Sequence, residues 1–191
     1  GYADDKPLEA WLREDVWPVE AELDPADVRA GTDLALAELI RSGTTTLVDM
    51  YFHVDAVVDA VAAAGVRARV GHGVVGVGKD EAAARADLDE SLRVAREYDG
   101  AADGRVRTAV TPHSLTTVSP ALLREAADAA RDLDVPLHFH ANETRAEVEP
   151  FLDEGRRPLE AAREWGLLSE VDFLAHGVHL DDAEVEVLAE T

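Results

Sequence analysis

The residues Val135-Pro136-Leu137-His138-Phe139-His140-Ala141-Asn142-Glu143-Thr144 form an apolar run that closes on histidine and then turns acidic. Read as a strand over 135–140, the run puts His138 and His140 on one side, because successive side chains alternate. Glu143 then falls in the loop at the strand's C-terminal end, close to the His140 ring. A histidine beside a carboxylate in such a place suits metal ligation and proton transfer around the metal's water. A structural histidine followed by a helix-capping glutamate fits the same residues equally well.

Working outward, the same unit recurs. Runs of strand character occupy 44–51, 66–75, 106–111 and 171–176, and Ala- and Leu-rich segments with charged faces lie between them. Asp24-Pro25 supplies a cap and a first-turn proline for a helix to about Ser42, which Gly43 stops. Residues 57–64, 82–98, 119–133 and 158–165 show helical spacing of apolar side chains. Strand–helix alternation predicts parallel strands with right-handed crossovers in one α/β domain. A doubly wound sheet and part of a (β/α)8 TIM-type barrel both satisfy it. In a barrel, chemistry gathers where the strands end. His72, His113, His140 and His176 sit at or near four predicted strand ends, and His53 lies just past the fifth. That favours the barrel and a metal-type site.

The chain carries 40 acidic residues against 18 basic ones, a formal charge of −22, and only Lys6 and Lys79 are lysines. Such a surface repels nucleic acid and anionic membranes, and the acid-rich, lysine-poor pattern is expected of a halophilic cytoplasmic protein. The absence of cysteine excludes disulfides and thiolate metal sites. No apolar stretch approaches the roughly 20 residues of a membrane span. The first residue, Gly1, and a helical pattern still running at 180–188 suggest a piece of a longer protein.

Two phosphate-type motifs are set aside. Gly71-His72-Gly73-Val74-Val75-Gly76 matches the dinucleotide fingerprint, but its glycines lie in or at the tip of a strand and do not open a helix. Gly73 to Lys79 resembles a P-loop, yet Asp80 stands where the magnesium-binding hydroxyl belongs.

Thr111-Pro112-His113-Ser114 and Ala175-His176-Gly177-Val178-His179-Leu180 place two further histidine-bearing strand ends beside that of His140. These stretches join Leu8-Glu9-Ala10-Trp11-Leu12, Trp17-Pro18-Val19-Glu20, Arg41-Ser42-Gly43-Thr44-Thr45-Thr46 and Asp49-Met50-Tyr51-Phe52. In that order the set resembles the 5-methylthioadenosine/S-adenosylhomocysteine deaminases of the amidohydrolase superfamily, relatives of the triazine chlorohydrolases and guanine deaminases.

The resemblance implies a zinc-dependent hydrolytic deaminase of adenosine-like nucleosides, with one metal ion per site and ammonia as a product. His140 would be a zinc ligand. Glu143 would be the acid/base that protonates the purine ring, also touching substrate. His176 would orient the metal's water, His113 would contact the nucleoside, and Glu20 would accept from ribose hydroxyls. His138 and His179 would be supporting or structural. His72 stands where some relatives place a substrate-binding arginine, Arg85 is a weaker candidate contact, and Asp49 is expected to anchor the barrel interior. Trp11 and Trp17 suit core packing, or a loop over the site. The family's first-strand His-x-His pair and eighth-strand Asp are absent, so residues 1–191 would be a single partial barrel of strands two to six. Alone, such a chain is expected to bind zinc weakly, to be inactive, and to associate with other copies through its open edges. A chlorohydrolase, a guanine-type aminohydrolase and a catalytically dead relative are the alternatives.

Overall fold

A computed structural model describes residues 5–191. Its strands are β1 Thr46–Tyr51, β2 Arg67–Val74, β3 Val106–Thr108, β4 Thr111–Pro112, β5 His138–Ala141 and β6 Phe173–His176. Their pairings are all parallel: β1 with β2, β2 with β3 and β4, and β5 with β6. β3 and β4 are two parts of one strand, since β2 keeps a single register along both: Val70 faces Thr108 and Gly73 faces Thr111. Parallel bridges from Val110 to Leu137 and from Ser114 to His140 join that strand to β5. Spatial order therefore follows chain order with no reversal, which is a barrel wall and not a doubly wound sheet.

From one bridge to the next the earlier strand advances by four residues and the later one by three, which is the signature of a β-bulge. The ladder still closes around it. The Val110 N–H donates to the Pro136 carbonyl (3.0 Å), and the His138 N–H to the Val110 carbonyl (2.9 Å). Four of the five strands start later than the sequence predicts, and only the third starts where expected, at Val106. Pro136 has no N–H to give, and the Val135 N–H closes the preceding helix on the Ala130 carbonyl at 3.0 Å. The last strand begins at Phe173 because the Asp172 N–H is turned back onto Ser169.

The helices are α1 Leu8–Trp11, a π-helical turn Leu12–Val16, α2 Trp17–Glu20, α3 Pro25–Ser42, α4 Val54–Ala64, α5 Glu81–Tyr98, α6 Pro120–Asp132, α7 Arg145–Asp153, α8 Pro158–Glu164 and α9 Asp182–Glu190. Asp24 caps α3 in a reciprocal box with Asp27, and Gly43 ends the helix in the left-handed conformation. α7 has no counterpart in the predicted helices. Pro150 and a polar first turn hide it, but the Thr144 hydroxyl caps it by accepting from the Glu147 N–H. No helix among the described residues is long and apolar enough to cross a membrane.

The core lies between strands and helices in two clusters. Val57, Val61, Val70, Val94 and Val106 form one, and Leu88, Leu123, Leu137, Phe139 and Leu159 the other. Alternation then fixes what the opposite face carries. Leu137, Phe139 and Ala141 are buried against helices, so His138 and His140 face the barrel interior.

The same parity corrects two expectations. Ala68, Val70 and Val74 are buried, and His72 shares their side of β2. Its Nε2 lies 3.8 Å from Asp87 of α5, on the face of β2 opposite the barrel interior where His138 and His140 point. Asp49 shares the side of Leu47 and Tyr51, which pack on the α3–α4 core, and it lines a cleft with Val28, Gly31 and Leu36 of α3. It is therefore a helix-side group and not an anchor of the barrel interior, and burial pushes its carboxyl above the usual range.

Gly71 explains the glycine motif. A Cβ there would stand 2.3 Å from Thr111 Cγ2 and 2.7 Å from the Ala109 carbonyl oxygen, so the residue is glycine to let two strands meet. Asp80 caps α5, accepting from the Ala83 N–H at 2.8 Å.

Candidate active site

Three strand ends bring three imidazoles together. The His140 ring centroid is 4.8 Å from that of His113 and 5.3 Å from that of His176. The His113 carbonyl accepts twice from His140: from its N–H at 2.9 Å and from Nδ1 at 2.8 Å. A carbonyl only accepts, so His140 Nδ1 carries the proton and Nε2 keeps its lone pair. That is the tautomer of a metal-binding histidine whose other nitrogen is held by a backbone oxygen. His140 thus fits a metal ligand. Among the described residues no group of three or more His, Asp or Glu side chains could hold a metal ion, so further ligands would have to come from outside this set.

Glu143 reaches across the next turn, its Oε1 3.4 Å from His176 Nε2. Two backbone devices put it there. Asn142 adopts the left-handed conformation (φ 55°) just after β5, and His176 does the same (φ 79°) at the end of β6. For a non-glycine residue this is a sparsely used conformation that clusters at functional sites. The Glu143 N–H donates to the buried Glu147 carboxylate at 2.8 Å. Burial pushes the Glu147 carboxyl above its ordinary range, and its second oxygen has no partner.

His113 lines a cleft of about 300 Å³ together with Glu143, Glu147, Leu8, Leu12 and Trp17. Its Nδ1 is 2.9 Å from the Thr117 hydroxyl. Burial first, and then the neighbouring His140 and His176, hold its pKa down to about 4, so it enters the cleft as a neutral hydrogen-bonding ring. Trp17, 36% exposed, belongs to the cleft wall and not to the core. Leu8, Leu12 and Trp17 come from consecutive helical turns with a π turn in the middle, an irregularity frequent at functional sites.

The remaining residues lie elsewhere. Glu20 lines a separate depression with Tyr51, Phe52, His53 and His72. There the Tyr51 hydroxyl is raised by burial and by the Glu20 carboxylate it hydrogen-bonds. Arg85 forms a bidentate pair with Glu125 (2.5 and 2.8 Å) beside a neighbouring groove. His138 stacks on Phe173 at 4.2 Å and donates from Nδ1 to its carbonyl, a structural role. His179 serves through its backbone, its N–H donating to the Asn142 carbonyl at 2.9 Å.

The family model described as the amidohydrolase family matches residues 1–191. The chain belongs to the amidohydrolase family. This amidohydrolase chain is 65% identical over 191 residues to the 5-methylthioadenosine/S-adenosylhomocysteine deaminase of Natronomonas pharaonis, covering 100% of the chain and 44% of that protein. It therefore spans less than half the length of the curated relative. An adenosine deaminase of Xanthomonas campestris, solved with bound zinc, superposes with a TM-score of 0.85 at 34% identity over 98% of this chain and 43% of that one. The guanine deaminase of C. acetobutylicum gives 0.85 at 19% identity, covering 97% of this chain and 47% of its own, a likeness that shows the fold alone.

Sequence reasoning missed Glu147, Asn142 and the residues that hold them. Glu147 stands three residues past the Thr144 cap, the spacing of a capping glutamate that reaches back over the start of its helix.

Proposed function

We propose that this amidohydrolase chain is the central part of a zinc-dependent hydrolytic deaminase of adenosine-like nucleosides, with 5-methylthioadenosine, S-adenosylhomocysteine and adenosine as candidate substrates. One observation carries the reading: the His113 carbonyl fixes His140 as a metal-ligand tautomer, with the Glu143–His176 pair flanking it. The similarity to a named deaminase at 65% identity supports the substrate class. The other metal ligands would belong to parts of the relatives that this chain does not span, residues 1–191 being strands two to six of the barrel.

Zinc, when bound, supplies the Lewis acidity that makes a water nucleophilic near neutral pH. His140 would hold it. Glu143 accepts the proton that the attacking water loses and passes it to the purine ring nitrogen as oxygen bonds to C6. His176, 3.4 Å from Glu143, orients that carboxylate and the water beside it. When the C6–amine bond breaks, the amine takes the remaining proton, that of the new C6 hydroxyl, and leaves as ammonia, giving an inosine-type product with C6 as a carbonyl. His113 offers a neutral ring nitrogen to the nucleoside, and the Leu8–Leu12–Trp17 wall excludes water from the base. Glu20 is assigned to the ribose hydroxyls on the motif's similarity alone; it lies three residues along α2 from Trp17 and lines the neighbouring depression.

Glu143→Gln in the full-length protein tests this. Ammonia release from adenosine or 5-methylthioadenosine should fall by about 10²–10⁴-fold with zinc content unchanged, because the role is proton transfer and not ligation. Near-normal turnover would remove Glu143 from the chemistry.

A further inference from the structure

We propose that Glu184, on α9, is a positioning residue that sets the separation of Glu143 and His176; the inference rests on reading those two as the reacting pair. Glu184 is fully buried, 41 residues along the chain from Glu143 and eight from His176. It accepts from Asn142 Nδ2 (3.0 and 2.9 Å), from Arg157 Nε and Nη2 (3.0 and 2.6 Å), and from the Leu159 N–H (3.0 Å). Asn142 is the residue before Glu143 and is itself fully buried.

The network then crosses to the other loop. Arg157 Nη2 donates to the His179 carbonyl at 2.5 Å, and Asn142 Nδ2 reaches the same oxygen at 3.3 Å. The backbone adds two stitches, His179 N–H to the Asn142 carbonyl (2.9 Å) and Gly177 N–H to the Ala141 carbonyl (3.0 Å). One carboxylate thus ties the turn that launches Glu143 to the turn that follows His176. A buried charge is a poor choice for mere cohesion, since well-packed apolar residues serve stability as well or better. What directional bonds add is geometry. They hold donor and acceptor within a few tenths of an ångström, and proton transfer needs its partners within hydrogen-bond reach.

The test uses the full-length protein. Asn142→Gly keeps the left-handed turn, which glycine adopts freely, and deletes the bond to Glu184. Turnover should fall by about tenfold to a hundredfold, the cost of an ångström-scale misplacement. KM should stay within about threefold, with zinc content and cooperative melting retained. Amide hydrogen exchange at Gly177 and His179 should accelerate by about tenfold or more without global acceleration. Asn142→Asp alone, setting two carboxylates together, should be worse, and adding Glu184→Gln should restore part of the lost turnover by exchanging acid and amide.

Wild-type turnover in Asn142→Gly, or a loss that tracks the unfolded or zinc-free fraction, would overturn the assignment. If the unsubstituted protein releases no ammonia from any nucleoside, the deaminase reading fails on its own. Exchange then decides this proposal: acceleration confined to the two loops supports it, and none or a global one refutes it.

Discussion

Replacing Gly71 by alanine places a methyl group where the barrel wall has no room. The added Cβ would lie 2.3 Å from Thr111 Cγ2, 2.5 Å from Thr111 Oγ1 and 2.7 Å from the Ala109 carbonyl oxygen, far inside the ~3.5–4.0 Å at which nonbonded carbon atoms rest. Thr111 can rotate, but then its hydroxyl gives up the 2.7 Å bond to the His72 carbonyl, worth about 0.5–1.5 kcal/mol. The Ala109 oxygen is main chain and moves only with its strand, so the overpacking cost of about 1–3 kcal/mol remains. Together these give a destabilisation of roughly 2–4 kcal/mol. Urea titration in molar salt reads it as a lower midpoint at unchanged slope. Thr111→Ser in the same background should recover part of the loss, since it removes the nearest atom and leaves the carbonyl contact. A change below about 0.5 kcal/mol, the scale of ordinary surface substitutions, would show that the strands yield freely. Close packing would then no longer explain the glycine, and the dinucleotide-like motif would need another reading.

Glu147 makes a pH prediction. Burial raises its carboxyl in the folded state, so its contribution to stability is fully present below the unfolded value and is lost as pH rises through the folded one. Glu147→Gln, which keeps an acceptor for the Glu143 N–H, should flatten the decline in melting temperature above about pH 4.5, whereas Glu147→Leu should leave that N–H unpaired and lower stability at every pH; parallel profiles for wild type and Gln would refute the assignment. With a charge of −22, the chain should also melt higher and stay more soluble as potassium chloride rises to molar levels, because the screening length contracts from about 10 Å at 0.1 M to 3 Å at 1 M. A flat or falling melting curve over that range would show that the acidic excess is no salt adaptation.

The barrel was legible because alternation and strand-end histidines are local signals. His140, Glu143 and His176 stand out in the sequence for the same reason, each sitting where a strand stops, and the structure brings them close together. The direction of His72 is legible too, since its parity with Ala68, Val70 and Val74 puts it on the buried side of β2 even though its position is near the strand end. α7 was lost because Pro150 broke its apolar spacing. The Asn142–Glu184–Arg157 network could not be read at all. Its members lie as far as 42 residues apart, and a buried glutamate looks, in a sequence this acidic, like any surface one.

The bulge between Val110 and Ser114 has a consequence for how such a protein can change over generations. It swings one peptide carbonyl, that of His113, onto both nitrogens His140 can donate from. The proton arrangement of His140 is therefore inherited through the main chain, while the side chain of residue 113 looks into the cleft. A change of side chain at position 113 alters the cleft wall and leaves in place the carbonyl that holds the His140 Nδ1 proton. Novelty in what is bound and constancy in what does the work are written on the same residue, in separable parts.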